Sequence, residues 1–290
     1  NQPLNVGECK DDAGYDELDA STYPAQFWDC NVINGQAMRG TTTWGSRAAY
    51  VRCALDMTDL ANNGNTTNAF SVMDNNTSNA ASTWLFEACL LVVYDADNNT
   101  HTRTFNHNGT NRLIGINTAF INATVAARSV RSHFYCNQTT AILKMYGCLF
   151  LHVLDDGTIS DGVLVRGSDV PEANLTFDGN WYEGLTPSIG YNNADASTSK
   201  SQAQWAANVE NADAVFDVDP DLDFSGGLDS IEPEDPGGLR DTEVEQDPAT
   251  DRGINGRAYS GNYGPWQFAP LGNRLPRGRR SRRGTFNSFG

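Results

Sequence analysis

One short pattern returns along the chain at intervals near 30 residues. It reads Phe27-Trp28-Asp29-Cys30-Asn31-Val32-Ile33, then Tyr50-Val51-Arg52-Cys53-Ala54-Leu55, then Phe86-Glu87-Ala88-Cys89-Leu90-Leu91-Val92. Three more copies follow: Ile116-Asn117-Thr118-Ala119-Phe120-Ile121, Met145-Tyr146-Gly147-Cys148-Leu149-Phe150 and Phe177-Asp178-Gly179-Asn180-Trp181-Tyr182. Taking residues 30, 53, 89, 119, 148 and 180 as equivalent gives intervals of 23, 36, 30, 29 and 32. A period of ~20–50 residues marks stacked repeats, each burying its apolar face against its neighbours.

The segments are aromatic or β-branched and bounded by turn residues such as Asn62-Asn63-Gly64-Asn65 and Asp155-Asp156-Gly157. They read as strands of ~4–6 residues. Stretches such as Phe70-Ser71-Val72-Met73 and Gly162-Val163-Leu164-Val165 lie between them and imply two or three strands per repeat. Cys30, Cys53, Cys89 and Cys148 fall at one equivalent position, where a reduced thiol fills an inner column as a small hydrophobe. Cys9 and Cys136 lie outside the pattern. The alternative for six cysteines in a secreted chain is three disulfides. With no CxxC and no Cys/His cluster, a zinc site is not expected.

The aromatic-x-Gly/Ala-Cys/Asn-aromatic segment resembles the coil of the right-handed parallel β-helix, the pectate-lyase-like superfamily. Gly115-Ile116-Asn117-Thr118-Ala119-Phe120-Ile121-Asn122 and Leu175-Thr176-Phe177-Asp178-Gly179-Asn180-Trp181 carry it best. Asp247-Pro248-Ala249-Thr250-Asp251-Arg252-Gly253 and Gly264-Pro265-Trp266-Gln267-Phe268 are similar to the segments that end some members. The resemblance spans about residues 26–268 and transfers no catalytic residue. It implies an all-β solenoid with irregular N- and C-terminal arms. A β-sandwich or jelly roll is the alternative, because its short strands and polar turns read similarly. The expected division is an arm over 1–25, repeats over 26–200, a helix and acidic loop over 201–252, a cap over 253–270 and an Arg-rich tail over 271–290. The helix rests on Ala203, Trp205, Ala206, Val209 and Ala212 at helical spacing within 198–216.

The net charge of −16 is unevenly spread: residues 210–251 hold 15 acids against Arg240 alone, while the last 20 residues hold six Arg and no acid. That balance argues against nucleic-acid binding by the body of the protein. No apolar run reaches the ~18 residues of a membrane span. The chain begins with Asn1 rather than Met, as after removal of a leader or where the start is unrecorded. Eight sequons occur, at Asn65, Asn75, Asn76, Asn98, Asn108, Asn122, Asn137 and Asn174, and would accept glycans in a eukaryotic secreted chain.

Asp221-Leu222-Asp223-Phe224-Ser225-Gly226-Gly227-Leu228-Asp229-Ser230-Ile231-Glu232 matches the 12-residue EF-hand loop at positions 1, 3, 5, 6, 8, 9 and 12. Asp221, Asp223, Ser225, Asp229 and Glu232 would then supply oxygens to Ca²⁺, the one cofactor the sequence offers. Pro220 and Pro233 flank the loop and oppose an exiting helix, so an acidic surface loop is the competing reading. Asp155, Asp156, Asp161 and Arg166 could form a polysaccharide-cleaving patch, but Asp155-Asp156-Gly157 also reads as a turn. The Gly-His-Gly segment expected of polygalacturonase-like enzymes is missing, and His101, His107, His133 and His152 form no motif. Arg277, Arg279, Arg280, Arg282 and Arg283 form a docking tail for an acidic neighbour, a protease-processing site or a solvated end.

The expected function is a non-enzymatic structural protein, displayed on a larger assembly such as a viral or phage particle. The resemblance adds a homotrimer, contacting other subunits of the assembly. The alternatives are a secreted β-helix protein that binds or cleaves polysaccharide and a glycosylated extracellular fibre subunit.

Overall fold

The computed structural model describes residues 16–33, 38–39, 47–57, 73–75, 82–95, 103–107, 112–124, 132–136, 140–154, 156–167, 170–185, 201–210, 214–225, 231–233 and 264–266. The strands fall into rounds of three. The first holds β1 (Ala25–Trp28), β2 (Asn31–Ile33) and β3 (Met38–Arg39), the second β4 (Arg47–Val51), β5 (Ala54–Met57) and β6 (Met73–Asn75). Next come β7 (Thr83–Glu87), β8 (Leu90–Asp95) and β9 (Arg103–His107), then β10 (Arg112–Ile116), β11 (Ala119–Thr124) and β12 (Ser132–Cys136). The fifth holds β13 (Ile142–Tyr146), β14 (Leu149–Leu154) and β15 (Val163–Gly167), and β16 (Leu175–Asp178) and β17 (Trp181–Glu183) begin a sixth.

Each round gives one strand to each of three sheets. Sheet A orders β1-β4-β7-β10-β13-β16 and sheet C orders β15-β12-β9-β6-β3. Sheet B runs β2-β5-β8-β11-β14-β17 and adds β18 (Val215–Phe216) at its end. Every pairing in these sheets is parallel, as in Leu113 against Trp84 and Leu143, or Phe120 against Leu91 and Phe150. The chain is therefore all-β with parallel sheets. Parallel pairing does not fit the sandwich alternative, whose sheets are antiparallel.

The register corrects one equivalence expected from the sequence. Asn31, Ala54, Leu90, Ala119, Leu149 and Trp181 pair in succession, so the residue aligned with the cysteines is Thr118. Ala119 sits one place further on. With a side-chain period of two, a slip of one residue turns a side chain to the other face.

The central strands β4, β7, β11 and β14 are buried on both faces, which explains their near-continuous apolar runs. Inward residues stack at equivalent positions from round to round. Phe27, Tyr50 and Phe86 stack at 4.7 and 5.1 Å in sheet A. Phe120, Phe150, Tyr182 and Phe216 stack at 5.0, 5.4 and 5.2 Å in sheet B. Gly115 continues the sheet A row beyond Phe86, because a Cβ there would lie 2.8 Å from Met145 Sδ and 3.0 Å from Cys148 Sγ.

Segments on either side of the repeats cover two outer faces. Ala20 and Tyr23 pack on Ala49, Val51, Leu85, Ile114 and Ile116 of sheet A. Glu17 pins that segment by bonding Arg112 at 2.9 Å and Lys144. Leu222, Ile231 and Trp266 cover Leu90, Val92, Ile121, Leu149 and Leu151 of sheet B. Among the described residues, the helical expectation over 198–216 reduces to α1 (Gln202–Asn208), whose only buried side chain, Trp205, sits edge-on to Phe177 at 4.9 Å. Residues 215–216 are not helical, because β18 pairs with β17 there.

Candidate functional site

The densest polar chemistry lies at the corner where each round passes from sheet A to sheet B. Two residues make the turn. The first is left-handed in every round: Asp29, Arg52, Ala88, Asn117, Gly147 and Gly179, with φ between 46° and 59°. Only glycine takes this conformation freely, yet four of the six are not glycine. Their amides donate to the next round, Asp29 to Val51 O and Ala88 to Ile116 O.

The second corner residue is Cys30, Cys53, Cys89, Thr118, Cys148 or Asn180. In the first five of these the amide meets a side chain rather than a backbone carbonyl. The Cys53 N–H donates to Cys89 Sγ at 3.4 Å, Cys89 N–H to Thr118 Oγ1 at 3.3 Å and Cys148 N–H to Asn180 Oδ1 at 2.8 Å. The Cys30 amide likewise bonds Cys53, and the Thr118 amide bonds Cys148. These side chains also donate backwards: Cys53 to Phe27 O at 3.3 Å, Cys89 to Tyr50 O at 3.2 Å, Thr118 to Phe86 O at 3.0 Å and Asn180 to Met145 O at 3.1 Å. A buried backbone N–H needs a partner, so the position demands a small acceptor. Filling volume, the role expected of the thiols, is only half of what they do.

Cys30, Cys53, Cys89, Cys136 and Cys148 are free thiols, and Cys9 lies outside the described residues. Burial pushes Cys136 and Cys148 up to about 12 and raises Cys89 well above the usual thiol range. Cys53 is drawn down to about 7, chiefly by its bond with the Cys89 thiol and also by the Cys30 amide.

The column ends in a second polar cluster. Asn180 Nδ2 reaches Glu210 Oε2 at 3.1 Å, the Tyr182 hydroxyl donates to the same carboxylate, and Trp205 Nε1 donates to the Tyr182 oxygen at 3.3 Å. A third cluster joins His133 and His152, which lie far apart in the sequence and which the fold brings to 4.3 Å between ring centres, tilted at 44° and fully buried. His133 Nδ1 lies 3.2 Å from Thr104 Oγ1, and His152 Nε2 donates to Val163 O at 3.3 Å. Gly162 lets the chain pass, since a Cβ there would lie 2.5 Å from the His152 ring. Two histidines 19 residues apart on different sheets left no signal in the sequence.

Of the expected calcium ligands, Asp221, Asp223 and Ser225 are described. Asp229 and the Glu232 side chain lie outside the described residues. β19 (Leu222–Asp223) pairs antiparallel with β20 (Glu232–Pro233), placing Asp223 opposite Glu232. The segment is a hairpin laid on sheet B by Leu222 and Ile231, and among the described residues no helix flanks it. The Asp223 carboxylate accepts the Ser225 N–H at 2.7 Å, and bonds to Ser225 hold it below the usual carboxylate range. Asp156 accepts the Thr158 N–H at 2.9 Å, a turn bond; Asp155 lies outside the described residues. Asp161 is exposed and Arg166 half-buried. Arg277, Arg279, Arg280, Arg282 and Arg283 also lie outside the described residues.

Among the described residues, no group of three or more His, Cys, Asp or Glu is arranged to hold a metal ion. No helix among them is long and apolar enough to cross a membrane. Asn122, one of the eight sequon asparagines, is fully buried and donates to Ser132 O at 3.3 Å. No protein-family model, curated protein or solved structure matches the chain.

Proposed function

We propose that the chain winds as a right-handed parallel β-helix and serves as a non-enzymatic structural component, exposed on a larger assembly of the virion-surface kind. The winding is supported by strict rotation of strands through three parallel sheets, and right-handed connections between parallel strands are the general rule. The functional reading rests on where the polar groups converge. The corner column beyond Cys30, the Glu210 cluster and the histidine pair are buried and bonded to backbone or to neighbouring side chains. An enzyme on this scaffold would gather such groups on an open face, where substrate reaches them. The chemistry here stiffens the winding instead.

Self-association as a trimer belongs to the same proposal, along with contacts to other subunits. Light scattering should then give three times the 31.6 kDa chain mass, and an antibody against the native chain should label the outside of intact particles from its source. Monomers together with unlabelled particles would sink the reading. One observation favours glycan binding as a second reading. Trp28 is 37% exposed, with the Arg52 guanidinium 5.4 Å from its ring centre and Asp29 bonded to that Arg. Release of unsaturated or reducing ends from an acidic polysaccharide would move the assignment to an enzyme. Binding without cleavage, lost in Trp28→Ala, would make the surface a glycan-recognition face.

A further inference from the structure

Among the described residues, the corner column is approachable at its Cys30 end. Cys30 is half-buried, while Cys53 and Cys89 behind it are fully buried. β2 pairs with β5 so that Asn31 lies opposite Ala54, which sets Cys30 against Cys53 one step earlier in the same register. Neighbouring strands run ~4.8 Å apart, inside the ~4.4–6.8 Å between Cα atoms that a disulfide spans. Both side chains face the core: Cys30 packs against it, and the Cys53 thiol donates to Phe27 O at 3.3 Å. Bringing the Cβ atoms to disulfide distance needs a movement of about 1 Å. The first round can make it, because among the described residues no round lies beneath it.

We propose that Cys30 and Cys53 are a redox-modifiable pair, which a small disulfide oxidant of the glutathione class converts to a Cys30–Cys53 disulfide. The Cys30 thiolate attacks one sulfur of oxidised glutathione, forms a mixed disulfide and releases one glutathione thiolate, which takes up the Cys30 proton. The Cys53 thiolate then attacks Cys30 Sγ and breaks the mixed disulfide. The second glutathione thiolate leaves and takes up the Cys53 proton. Two protein thiols lose two electrons in all, and one glutathione disulfide becomes two thiols. The division of labour suits the column. Cys30 is the thiol the oxidant can reach. Cys53, bonded by the Cys89 thiol and the Cys30 amide, is the partner more readily ionised near neutral pH.

The test uses the full chain, reduced, desalted and exposed to oxidised glutathione under native conditions. Remaining thiols are then blocked and the protein digested without reductant for mass spectrometry. The expected product is a peptide pair joined through Cys30 and Cys53, with Cys89, Cys136 and Cys148 alkylated only after denaturation. Cys53→Ser should trap Cys30 as a stable mixed disulfide, and Cys30→Ser should leave Cys53 reduced. Recovery of both wild-type cysteines as alkylated thiols would overturn the proposal. So would a bond from Cys30 to Cys9 or to a second copy, or oxidation of Cys53 in the Cys30→Ser chain.

Discussion

Replacing Thr118 with Val keeps the volume of the corner and removes the atom that receives the Cys89 amide. A buried donor left without its acceptor costs about 1–3 kcal/mol. Thr118→Cys restores the acceptor that neighbouring rounds use and should cost far less. Denaturant unfolding of the two variants decides the point, and equal midpoints would show that volume alone matters there. The preceding residue gives a second prediction. Gly147 has φ 59°, so Gly147→Ala should lose about 1–2 kcal/mol to left-handed strain. Ala88→Gly, at φ 51°, should lose little by the same assay. These details also mark what was legible in the sequence. The repeated thiol exposed the column, because cysteine is rare enough to stand out. Thr118 is hidden beside Ala119, because both are small and the sequence does not show that the backbone asks for a lone pair there.

Single strands and straps carry their own consequences. On β10, Gly115 leaves room for Met145 and Cys148. Gly115→Val should therefore cost about 1–3 kcal/mol by overpacking, read as a lower thermal midpoint with the parallel-sheet circular dichroism retained. The segment that carries Glu17 responds to pH. Burial alone would raise this carboxyl, but the bonds and charges of Lys144 and Arg112 outweigh it and hold it below the usual range. A depressed folded value contributes stability above the ordinary glutamate pKa of ~4.3, and that contribution is lost as the pH falls through the folded value. The gap in unfolding midpoint between the native chain and Glu17→Gln should thus be open at neutral pH and close below about pH 4. Little of this segment was readable beforehand, since Glu17 meets partners 95 and 127 residues away. α1 is shorter than its pattern for a related reason: alanines at helical spacing look buried, yet Ala203 and Ala206 face solvent and only Trp205 packs inward within the helix.

For the molecule as a whole, the period predicted parallel stacking, and the three sheets bear out the all-β part of that expectation. The sequence did not disclose that the acidic region sends Leu222 and Ile231 onto sheet B, because two apolar residues among many carboxylates form no pattern. The calcium expectation for this region is decided by heat. Bound Ca²⁺ should raise the melting temperature, a chelator should reverse the rise, and Asp221→Asn with Asp223→Asn should abolish it. No shift with millimolar Ca²⁺ would leave the hairpin a charged strap. The corner bonds, finally, give the molecule a direction. Cys53 waits for Cys89, Cys89 for Thr118, and Cys148 for Asn180. Each length of polypeptide leaving the ribosome thus satisfies the length made before it and leaves its own amide unanswered. Assembly from the N-terminus is completed step by step, whereas a chain cut short before Asn180 ends on an open donor. Stalled or truncated products should consequently be the species that aggregate.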